Sequence, residues 1–160
     1  MFRSRNKQEW KHDMYKSILV ATDGSELSAK AVEHAIALAK IHGAELFALK
    51  VTQQRTDDHW DGALLSDPVQ KAEQDKRWAS ISLAVIDGVT ALAQAAGVKV
   101  TGISEKSNYV ADTVIAVAGK HNCDLIVMAS HGRRGLARVL IGSETQHVLT
   151  HSHIPVLVLR

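Results

Sequence analysis

The sequence predicts an α/β fold: a single doubly wound, five-stranded parallel sheet in the order 3-2-1-4-5, with helices on both faces. Three observations predict it. Short apolar runs alternate along the chain with longer segments of helical periodicity, the pattern of strands joined by right-handed crossovers. Runs such as "ILVA" and "LIVMA" carry no polar interruption, as suits strands covered on both faces. The length of 160 residues suffices for one ordinary core without staples. No internal repeat and no low-complexity tract argues for another architecture.

Residues 1–14, "MFRSRNKQEWKHDM", mix both charge signs ahead of any regular pattern and are expected to form an N-terminal extension to a domain at 15–160. "KSILVAT" is the first strand, ended by the turn residues "DGS". Ser25 is placed to cap the following helix, Val32, Ala35, Ile36 and Ala39 repeat at helical spacing, and Gly43 suits its end. "AELFALKV" is the second strand. A polar connection from Thr52 to Ser66 leads to Asp67-Pro68, a cap followed by a first-turn proline. In the helix that follows, Trp78, Ile81, Val85, Leu92 and Ala96 share one face, until Gly97 stops it. "VKVTGIS" is the third strand. A helix marked by Val110, Val114 and Val117 starts near Ser107 or Asn108 and ends around Asn122. "CDLIVMAS" is the fourth strand, a helix lies between Ser143 and Ser152, and "IPVLVLR" is the fifth strand.

The net charge of +2 is too small to indicate a nucleic-acid surface, and no uninterrupted apolar stretch of transmembrane length appears. One cysteine, Cys123, excludes a disulfide framework within the chain and fits a reducing compartment, with cytoplasm the expectation.

In the order 3-2-1-4-5 the winding reverses between strands one and four, and ligands of such sheets bind in the crevice beyond the strand ends there. Those ends are Thr22-Asp23 and Ala129-Ser130. A phosphate held by main-chain N–H groups needs unobstructed backbone and a helix head with free donors. Gly132 supplies the first, and Gly142-Ser143 the second, nine residues after the gap opened at Arg133. Simple strand-end and capping roles fit the same residues equally well. Asp23 can accept hydrogen bonds from ribose hydroxyls or stabilise its own turn. Adenine needs an apolar slot with exposed main-chain edges, which Ala21, Val51 and Met128 can line. No G-x-G-x-x-G follows the first strand, and no G-x-x-x-x-G-K-[ST] occurs.

Two stretches, "ILVATDGSELSAKAVEHAIALA" and "DLIVMASHGRRGLARVLIGSETQHVLTHSHIPVLVL", resemble the universal stress protein family over about Tyr15 to Arg160. The second carries that family's loop, G-x-x-G, nine residues, then G-[ST]. The first glycine is Ala129 here, a departure that puts a methyl where the family has none. The resemblance implies Thr22, Asp23 and Val51 around adenosine, and Gly132, Gly142 and Ser143 at the phosphates, with Ala129 and Met128 alongside. Glu144 follows the serine and disfavours an anion if it points inward, an effect that Arg133, Arg134 and Arg138 offset if they do. The implied ligand is ATP, with ADP or AMP as alternatives, and Mg2+. The terminal strand is an uncovered apolar edge, and both this and the resemblance point to a homodimer. A dimeric interaction protein that binds no nucleotide is the rival reading.

Other chemistry has weaker support. His147 and His151 have metal-ligand spacing but no third ligand is signalled. "TDDHWDG", at 56–62, lacks the full oxygen series of a calcium loop. Ser130-His131 lacks a nucleophile elbow and an acid partner. No general base is placed at the expected γ-phosphate, so efficient turnover is not expected, leaving slow hydrolysis or autophosphorylation.

Overall fold

The computed structural model of the chain describes residues 14–53, 68–131 and 141–160. Among these residues nine elements alternate: β1 (Ser17–Ala21), α1 (Glu26–His42), β2 (Glu45–Thr52), α2 (Pro68–Ala95), β3 (Val100–Lys106), α3 (Val110–Lys120), β4 (Leu125–Ala129), α4 (Ser143–His151) and β5 (Val156–Leu159). All four strand pairings are parallel and the order is β3-β2-β1-β4-β5, as the sequence predicts. β1 is central because Ile18, Leu19 and Val20 are apolar on both sides and wholly buried.

The alternation of each strand sorts its side chains into two cores. Ile18, Val20, Leu46, Ala48 and Val127 meet α1 and α2, whereas Leu19, Leu49, Ile126 and Met128 meet α3 and α4. Ala31, Ala35 and Ala39 let α1 lie close on the sheet. Its ends are those expected: the Ser25 hydroxyl accepts the Ser28 N–H, and Gly43 closes the helix in the left-handed region at φ 64°.

Several boundaries shift, each for a hydrogen-bonding reason. β3 begins at Val100 because the Val98 N–H goes back to the Ala93 carbonyl, and it continues to Lys106, opposite Thr52. β4 begins at Leu125 because the Cys123 N–H closes onto Ala118, and the Asp124 carboxylate accepts the N–H groups of Lys16 and Ser17. Burial at Cys123 pushes its thiol up to about 12, so it is a packed apolar residue and not a thiolate.

The face of α2 differs from the expectation. Ser82, Ile86, Val89 and Ala93 are buried, while Trp78, Ile81 and Leu92 are 37%, 44% and 57% exposed, and Val85 and Ala96 are half-buried. This helix has two apolar stripes, so periodicity alone did not choose between them. The sheet takes the stripe containing Ser82 because that hydroxyl finds Ser104 Oγ at 2.7 Å. Four residues on, Ile86 sits directly on Gly102, whose missing Cβ makes room for the Ile86 Cγ2 methyl. The Gly102→Ala variant is therefore expected to lose about 1–3 kcal/mol in urea denaturation. The loss should shrink when Ile86→Ala removes the obstructing methyl.

Candidate functional site

Register places the two strand ends named by the sequence side by side. β1 and β4 are neighbours with Val20 opposite Val127, so Ala21 lies level with Met128 and Thr22 with Ala129. Ala21, Val51 and Met128 all belong to the core that faces α3 and α4, and Ala21 and Val51 are only half-buried. The three expected adenine-lining residues thus share one side of the sheet, at its C-terminal end.

The main-chain edge follows from parity. On β2 the Glu45 N–H and the Leu49 carbonyl bond to the β1 side, whereas the Leu46 N–H and the Thr52 carbonyl bond to the β3 side. Val51, like Glu45 and Leu49, therefore directs its N–H and carbonyl toward β1. β1 has already ended there, since its last pairing is Ala21 with Leu49 and the Thr22 N–H takes the Leu49 carbonyl at 2.9 Å. A donor and an acceptor face the crevice beside a half-buried valine. The Val51 carbonyl also accepts from Lys50 Nζ at 3.2 Å.

The turn after β1 is tightly organised. Asp23 Oδ1 accepts the Ser25 N–H at 2.9 Å, Gly24 has φ 79°, and the buried Thr22 hydroxyl pairs with Ser28 Oγ at 2.9 Å. Asp23 thus has a turn-stabilising role that leaves its carboxylate at the end of β1.

Across the crevice, the Gly142 N–H donates to the Ser130 carbonyl at 2.8 Å, and Thr145 Oγ1 donates to the Ala129 carbonyl at 3.0 Å. These bonds seat the head of α4 at the end of β4. Gly142 is the N-cap and brings no side-chain acceptor to the first turn of α4, which opens at Ser143. A helix of this orientation presents N–H groups and a partial positive charge at that end. Gly132 and the arginines Arg133, Arg134 and Arg138 lie outside the described residues.

Two residues stand differently from what sequence alone suggests. Ala129 is the last residue of β4, paired with Leu159, in extended backbone that needs no glycine. Glu144 turns away to α3: its Oε2 accepts the Ala111 N–H at 2.9 Å, supplying the cap that Tyr109 lacks. No short-range pattern signals that contact, because 33 positions separate its partners. Ser130 is buried and its hydroxyl meets His131 Nδ1 at 3.0 Å. The rings of His147 and His151 stack at 4.1 Å, with His147 Nε2 on Asp112 at 3.0 Å. Among the described residues no three His, Cys, Asp or Glu side chains form a metal-binding group.

Strand order and register together define a doubly wound parallel α/β protein with its switch point between β1 and β4. The chain belongs to the universal stress protein family, whose profile matches residues 14–160. A universal stress protein of Methanocaldococcus jannaschii is 32% identical over 155 residues, 92% of this chain and 84% of that one. The solved structure of a second protein from that organism superimposes with a TM-score of 0.77 at 27% identity, covering 91% of this chain and 96% of its own. More distant structures of the same fold include a universal stress protein in complex with cAMP (23% identity, TM-score 0.63, coverage 90% and 95%). Another, from Archaeoglobus fulgidus, is in complex with dAMP (15% identity, TM-score 0.60, coverage 91% and 98%).

The Glu144→Ala variant should lose about 1 kcal/mol of stability, the worth of a helix cap. Glu144→Gln, which keeps an acceptor, should lose less; equal losses in thermal melts would contradict the capping role.

Proposed function

We propose that this protein is a stress-response regulator that binds an adenine nucleotide, ATP foremost with ADP or AMP as alternatives, at the switch point of its sheet. The observation that carries this reading is the Val51 main chain, whose N–H and carbonyl, the latter shared with Lys50 Nζ at 3.2 Å, point past the end of β1. They lie next to the apolar side chains of Ala21, Val51 and Met128. That is the complement of an adenine edge, which presents a donor and an acceptor of its own. Asp23 serves the ribose, and the uncapped head of α4 at Gly142 and Ser143 serves the phosphates, with Gly132 and Ala129 as the family motif implies. Mg2+ would accompany a bound triphosphate and neutralise part of its charge. The cyclic and deoxy adenine nucleotides held by distant relatives support the base preference.

Glu144 is compatible with an anion because its carboxylate is engaged at Ala111. Turnover is at most slow: Asp23 is tied to the turn at Ser25, on the ribose side of the crevice. The exposed edge of β5, with Val156, Val158 and Leu159 half-buried, serves a homodimer by pairing with its copy across a two-fold axis.

Isothermal titration with Mg-ATP tests the reading. Wild type should bind, and Asp23→Asn should bind about tenfold more weakly. The amide keeps an acceptor for the Ser25 N–H while losing the charge that strengthens a ribose bond. Absence of heat at millimolar nucleotide would instead favour a dimeric interaction protein without a nucleotide.

A further inference from the structure

Among the described residues, the second apolar stripe of α2 is largely exposed. Trp78, Ile81, Val85, Gly88, Leu92 and Ala95 follow one another at alternating intervals of three and four residues. That spacing is the 3.5-residue period of a helix-pairing seam. The stripe lies about 100° around the helix from the Ile86 stripe that meets the sheet, since successive residues turn by that angle. Four of its six members are exposed large apolar or small residues at the surface: Ile81, Gly88, Leu92 and Ala95. Trp78 joins them with over a third of its area in water. From Trp78 to Ala95 the only charged residue is Asp87, and the flanking Ala84 and Ala91 are small enough to let a second helix approach.

We propose that this stripe is a self-association surface, whose occupant is α2 of a second copy running antiparallel across a two-fold axis. When two such seams run antiparallel, the first position of each heptad pair meets the second of its partner. Trp78 then lies opposite Ala95, Ile81 opposite Leu92, and Val85 opposite Gly88, with the same contacts repeated beyond the axis. Large residues meet small ones in two of the three layers, as close packing requires. One stripe is thereby complementary to itself, which a two-fold contact demands and a contact with an arbitrary apolar surface does not.

Area sets the strength. The seam is about 25 Å long on a helix about 10 Å across, a footprint of roughly 250 Å² per copy against about 800 Å² for a standard interface. The contact is a weak, concentration-dependent one. α2 covers β3, and β3 and β5 are the opposite edges of the sheet. Pairing through α2 therefore leaves the β5 edge open, and the two contacts are independent.

Sedimentation velocity of the full chain over a wide concentration range tests this. Wild type should show an association step at high concentration that disappears in Leu92→Glu and in Gly88→Leu. The glycine variant is decisive, because a Cβ at Gly88 meets nothing within 4 Å in the single chain. A β-carbon is accommodated there, and the leucine fills the space that Val85 of the second copy needs. A β5-edge variant, Leu157→Lys, should leave this step in place whether or not that edge pairs. Identical sedimentation of wild type and both α2 variants would overturn the proposal. So would a wild type that does not associate through α2 yet binds phosphatidylcholine vesicles and loses that binding in Leu92→Glu, since the occupant would then be lipid.

Discussion

The hydrogen bond from the Gly142 N–H to the Ser130 carbonyl closes the excursion between β4 and α4. It returns the chain to the strand end that it left, and Thr145 Oγ1 on Ala129 holds the first turn of α4 in the same place. From that anchor α4 lies over the second core, with Val148 fully buried against the sheet. Glu144 then reaches the start of α3, so the position of the helix head and the capping of the neighbouring helix depend on one another. The opposite wall is equally constrained, because Thr22 is hydrogen-bonded to both Leu49 and Ser28. Among the described residues, these bonds fix the end of β1 and the head of α4 on either side of the switch point.

Much of this was legible in the residues. Apolar runs without polar breaks marked strands, and Ser25 and Gly43 marked the ends of α1 through their own capping chemistry. The adjacency of Thr22 and Ala129 followed from the strand order alone. The sheet-facing side of α2 was not legible, since both its stripes are apolar and the choice was made by Ser104 and Gly102 on β3. Nor was the orientation of Glu144, a side chain that satisfies a helix distant in sequence. The direction of the Val51 main chain depends on register, which no property of valine reveals. Ala129 departs from a glycine motif, yet its backbone is ordinary strand.

The two ends of the sheet order serve different ends of the molecule's behaviour. At the centre, between β1 and β4, the winding of the sheet reverses. At the margins, among the described residues, β5 is an edge strand and β3 carries a helix whose second apolar stripe is largely exposed.

The central claim is that the ligand sits between the end of β1 and the head of α4, with its base on the main chain of Val51. Titrating isotopically labelled protein with ATP and following backbone amide shifts by NMR tests it directly. The account predicts the largest shifts at Val51, Asp23 and Ser143, with the α2 amides between Trp78 and Ala95 unmoved. Shifts centred elsewhere, or an amide of Val51 that does not respond while others do, would contradict it.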